Sequence, residues 1–146
     1  MRHHLILRVV TKLLVGTIIL FAFYVQFHGD YSPGGGFQAG VIMAVAFILY
    51  GIVFSLRKAQ QVMPAWFVHK MVALGVLIYA GTGIVSLFMG YAYLDYDALS
   101  PHHPEHGQHY GILAVELGVG ITVTGVMIAI YYAFAARPPS ISDEEW

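Results

Sequence analysis

Apolar residues fall into four long runs, separated by three short stretches that are polar or rich in helix breakers. The first run, residues 9–27, has roughly the 20 residues needed to cross a hydrocarbon core as a helix. The second, 35–56, is stopped by Arg57 and Lys58, and residues 59–64 then form a short connection made polar by Gln60 and Gln61. The third run covers 67–91 and ends in Tyr91 and Tyr93. Residues 94–110 carry two prolines and no apolar period, which predicts a loop. The fourth run, 111–135, closes at Arg137-Pro138-Pro139. The pattern predicts an all-α integral membrane protein: four transmembrane helices in a bundle, one domain over residues 1–137, and a short acidic tail over 138–146.

The first turn stands out from this pattern. Residues 29–40 read Gly-Asp-Tyr-Ser-Pro-Gly-Gly-Gly-Phe-Gln-Ala-Gly. Pro33 fixes its own φ and keeps Ser32 extended, while Gly34, Gly35 and Gly36 accept the positive φ that a sharp re-entry requires. From Gly36 the small residues recur every fourth position, at Gly40 and Ala44, and on a helix this makes a smooth face that another helix can approach closely. Pro33, Gly34, Gly35, Gly36, Phe37 and Gly40 are therefore read as a subunit-contact motif. It serves either as a packed hairpin turn or as a place where free helix N-terminal amides touch a partner subunit, an ion or water. A phosphate-binding loop is excluded, because no Lys-Ser or Lys-Thr follows the glycines and no strand precedes them.

Composition agrees with membrane burial. Hydrophobic residues make up 58% of the 146 and charged residues 10%, with a mean hydropathy of +0.70, far more apolar surface than a soluble domain of this size could hide. The chain has no cysteine, which excludes disulfides and thiolate-held clusters, and no cofactor or enzymatic activity is expected of it. Nothing directs it to nucleic acid. The charges set an orientation. Arg2, Arg8, Lys12, Arg57, Lys58, Lys70 and Arg137 all fall on one side of a four-helix arrangement, so both termini are expected in the cytoplasm. The outer loops carry Asp30, Asp95, Asp97, Glu105 and five of the eight histidines.

Glu116 is the one carboxylate within a predicted helix, and a buried carboxylate must pair, reach water or stay protonated. Two roles remain open at this stage: a hydrogen-bonded structural group, or part of a proton or cation path. Gln26, Tyr24 and Gln38 lie at a similar predicted depth and are its candidate partners. His28 and Asp30, beside the turn, are either surface groups or the mouth of such a path. His102, His103, Glu105, His106 and His109 are chemically suited to a metal, but their predicted loop supplies no helix face to fix a coordination geometry, so no metal site is assigned and a polar, pH-responsive loop is the preferred reading.

Two passages resemble a known family, the B subunit (MnhB-like) of Mrp-type multisubunit sodium/proton antiporters. One is Phe21-Ala-Phe-Tyr24 followed by Gly29-Asp-Tyr-Ser-Pro-Gly-Gly-Gly-Phe37 and Gln38-Ala39-Gly40. The other is Val115-Glu116-Leu117-Gly118-Val119 with Gly125. Two departures are visible: the family commonly has Gly-His where this chain has Gly29-Asp30, and its acidic position in the last helix is more often Asp than Glu116. The resemblance implies a non-enzymatic, multi-pass subunit in a bacterial or archaeal cell membrane, packed against other subunits that include large complex I-like ones, and lining a path for sodium or another monovalent cation and protons. It also leaves room for a structural subunit of a redox-driven, hydrogenase-type machine.

Overall fold

The computed structural model describes residues 5–29, 34–100 and 104–137, with the side chains at 104 and 105 outside that description. The helices are α1 (Leu5–Phe27), α2 (Gly36–Phe54), α3 (Leu56–Val62), α4 (Ala65–Phe88) and α5 (Pro104–Ala135), with a 3-10 turn at Tyr96–Leu99. All except α3 and the 3-10 turn are long and apolar enough to cross a membrane.

Two segments expected to be irregular are helical. The connection predicted at 59–64 is largely α3, because Ala59 and Met63 give a short segment one buried edge while Arg57, Lys58 and Gln61 stay exposed. The break that separates it from α2 is Ser55, at φ 111° and ψ 152°, whose N–H still closes the last turn of α2 on Gly51 O at 3.0 Å. The helix expected to start at 111 starts instead at Pro104. Proline fits a first turn, where its missing N–H has no helical partner to lose. Residues 106–110 then stay helical because the loop packs on them. A Cβ on Gly107 would lie 2.6 Å from Tyr96 O, and one on Gly111 would meet the Tyr96 ring. Gln108 Nε2 donates to Asp97 Oδ1 at 2.7 Å, and the Asp97 N–H donates to Asp95 Oδ1 at 3.3 Å. Burial of Tyr96 in this arrangement, with Tyr79 and Tyr93 nearby, raises its phenol above the ordinary tyrosine range and keeps it neutral.

α2 and α5 form the central pair; α1 packs on α2 and α4 packs on α5. Small residues make both close crossings of α5 possible. Toward α4, a Cβ on Gly118 would stand 2.9 Å from Gly75 O, and one on Gly125 would stand 2.8 Å from Val72 Cγ2. Toward α2, a Cβ on Gly40 would stand 2.7 Å from Gly120 O. In a membrane, where lipid tails are as apolar as leucine, such backbone approach supplies the packing that drives helix association. The main apolar core lies near the basic end of the bundle, where Ala44, Ala59, Met63, Val68, Ile128 and Tyr132 meet. There the Tyr132 hydroxyl donates to Met63 O at 2.8 Å and pins the corner between α3 and α4. Arg8 and Lys12 of α1 reach to the same end, 5.4 and 5.9 Å from the Phe54 ring centre.

A carboxylate beneath the glycine turn

Helix α2 has 19 residues, about 28 Å at 1.5 Å per residue, close to the roughly 30 Å of a hydrocarbon core. Glu116 lies at the level of its first residue, since a Cβ on Gly36 would overlap the Glu116 carbonyl oxygen. It is also twelve residues into α5, so this helix continues about 18 Å beyond the level where α1 ends and α2 begins. The carboxylate is thus level with the start of α2, whereas α4, whose Tyr79 N would stand 3.0 Å from a Cβ on Gly118, runs on to Phe88.

Gly29 and Gly35 lie against the carboxylate. A Cβ on Gly29 would lie 2.8 Å from Glu116 Oε2 and 3.0 Å from Oε1, and one on Gly35 would lie 2.9 Å from Oε1. Gly35 is at φ 119°, which side-chain-bearing residues rarely adopt, so glycine is required there both by conformation and by space. Gly35 is also the N-cap of α2 and offers no side chain to the helix end. The Glu116 carboxylate lies beside this helix start, an end where the helix dipole favours negative charge.

The other expected residues separate around this centre. Gly36, Gly40 and Ala44 are buried, with Gly36 and Gly40 directly against α5, so the small-residue face meets the chain's own last helix. Phe37 points away and is 64% exposed, beside Phe21 and Val25 of α1. His28 stacks on Tyr24 with 4.9 Å between ring centres. Of the partners considered for Glu116, Gln26 lies against α5 one turn further in, where its Oε1 would be 2.6 Å from a Cβ on Gly120. Gln38 is exposed beside Phe37. Asp30, Pro33, His102 and His103 lie outside the described residues. His106 and His109 are exposed on the first turns of α5, and among the described residues no three His, Asp or Glu come together as a metal site.

Sequence reasoning missed two features. Gly29 was read only as a turn residue and Gly35 as part of the turn and its contact motif, although both are what lets the carboxylate approach the backbone. It also missed the Glu116, Gly120, Thr124 line on α5, a spacing of four that places three successive turns against α1 and α2. At its lower end the Thr124 hydroxyl donates to Gly120 O at 2.7 Å, with Gly40 O of α2 at 3.2 Å. The spacing was available in the sequence; its direction was not.

Comparison with known proteins places these features in a family. The profile of a family described as a domain related to the MnhB subunit of Na+/H+ antiporter matches residues 6–129. A Staphylococcus haemolyticus protein named antiporter subunit mnhB2 is 37% identical over 132 residues, covering 89% of this chain and 93% of the relative. A Staphylococcus aureus (strain Newman) protein of the same name is 35% identical over 127 residues, covering 86% of this chain and 89% of the relative. The glycine turn and the Glu116 segment both fall within the matched residues, and on that match over most of its length the chain belongs to the MnhB family of antiporter-subunit domains.

Proposed function

We infer that this chain is a membrane subunit of a multisubunit Na+/H+ antiporter, and that Glu116 contributes a protonatable group to an ion path bordered by the glycine turn. The family match over most of the chain supports the first part. The second rests on one observation: the carboxylate lies against Gly29 and Gly35, where α1 ends and α2 begins. The exposed Phe37 beside the turn offers a surface to a neighbouring subunit. With both termini in the cytoplasm, the turn faces outward.

A second reading is favoured by the same contact. In it Glu116 is a structural clasp that caps α2 from α5 and holds the glycine turn down. Glu116→Gln separates the two, since it keeps shape and hydrogen-bonding capacity but removes titration. A path role gives normal assembly with antiport lost or its pH profile shifted. A clasp role leaves antiport near wild type in Glu116→Gln, with only Glu116→Ala reducing the amount of complex. Antiport in everted vesicles, read beside complex abundance, decides between them.

A further inference from the structure

Two cations at the basic end of the bundle share one aromatic ring. Arg8 and Lys12, four residues apart on α1, lie over Phe54, the last residue of α2, with the guanidinium carbon and the ammonium nitrogen 5.4 and 5.9 Å from the ring centre. Charges of one sign at that spacing repel each other. The carboxylates among the described residues lie elsewhere. Asp97 accepts from Gln108 on the early turns of α5 with Asp95 beside it, and Glu116 is level with the first residue of α2, the opposite end of that helix from Phe54.

The position of the pair decides which anion fits it. Helix α2 stops at Phe54, and Arg57 and Lys58 just beyond it are exposed, which puts this ring where an apolar span gives way to lipid headgroups. Arg8 is half-buried and Lys12 exposed, so both are open to a ligand from outside. On the same two helices Val9, Leu13 and Ile52 are exposed and give acyl chains an apolar surface. A guanidinium can fork onto two phosphate oxygens, while an ammonium adds a point charge beside them. A zwitterionic lipid would bring its own cation to this pair; a lipid of net negative charge would not.

We propose that Arg8 and Lys12, held over Phe54, bind the headgroup phosphate of an anionic phospholipid in the leaflet at the basic end of the bundle. The site goes beyond the antiporter-subunit reading and needs no role for Glu116.

The full chain, purified in detergent and freed of native lipid, is titrated with phosphatidylglycerol or phosphatidylcholine, and the bound lipid is counted by native mass spectrometry. Phosphatidylglycerol is expected to bind several-fold better than phosphatidylcholine. Arg8→Gln with Lys12→Gln should abolish that preference, and Lys12→Arg should keep it. Lys70→Gln with Arg137→Gln, which removes the same charge from the Trp66 and Phe134 rings, should leave it intact. Should the Arg8, Lys12 double variant fail to fold, Lys12→Gln alone, at an exposed position, is expected to weaken phosphatidylglycerol about five-fold, the effect of one basic residue near an anionic surface. Equal binding of the two lipids overturns the proposal, as does an equal loss in the two double variants, which would mean general charge attraction only. Carbodiimide coupling of Lys12 to a carboxylate in the complete complex also overturns it, since the counter-charge would then be protein.

Discussion

A methyl group at Gly36 has no room, because it would meet the backbone of Glu116 rather than a side chain that could turn aside. Gly36→Ala is therefore expected to destabilise the α2–α5 pair by about 1–3 kcal/mol or more, seen as a lower melting temperature and less assembled complex. At the next turn, Gly40→Leu should reduce assembly strongly, while Val45→Leu, at a position 45% exposed, should leave it near wild type. Equal effects in the two would show that this face is not a close crossing. Tyr132→Phe removes the donor to Met63 O and should cost about 1 kcal/mol in thermal stability of the purified protein. The small-residue stripe was legible in the sequence because its period is local. The nearness of Gly29 and Gly35 to Glu116 was not, since it joins positions more than 80 residues apart.

At the scale of elements, the four spans could be read directly, because length and hydropathy suffice for a membrane helix. The short α3 escaped, since seven residues are too few for a period to show. Its entry depends on Ser55, which holds a conformation natural to glycine at a cost of about 1–3 kcal/mol. Ser55→Gly is therefore expected to raise the melting temperature of the purified protein, and Ser55→Val to lower it. A higher melting temperature for Ser55→Val would show that the backbone there is not strained. The first turns of α5 were also misread as loop. Their histidines, glycines and proline argue against helix locally, and the packing of Tyr96 over Gly107 and Gly111 overrides that preference.

At the scale of the whole molecule, the charge distribution predicts that the Ser100 side of the bundle faces outward and the Gln61 side faces the cytoplasm. In intact cells an impermeant thiol reagent should label Ser100→Cys and not Gln61→Cys; the reverse pattern would invert the topology. Sequence alone determined that the chain spans a membrane four times, that its basic residues share one side, and that the glycine turn and Glu116 belong to one family pattern. Each of these depends on composition or on neighbours within a few turns. Tertiary structure alone decided that α2 and α5 are the central pair, that the glycine face meets the chain's own last helix, and that Glu116 lies against Gly29 and Gly35 at the start of α2. It also buried Gln26 Nε2 with no hydrogen-bond partner among the described residues. The physical reason is common to all four: apolar helices of similar length carry almost no record of which neighbour each will choose, and that choice is made by backbone approach at glycines and by the few polar groups that must find partners out of water.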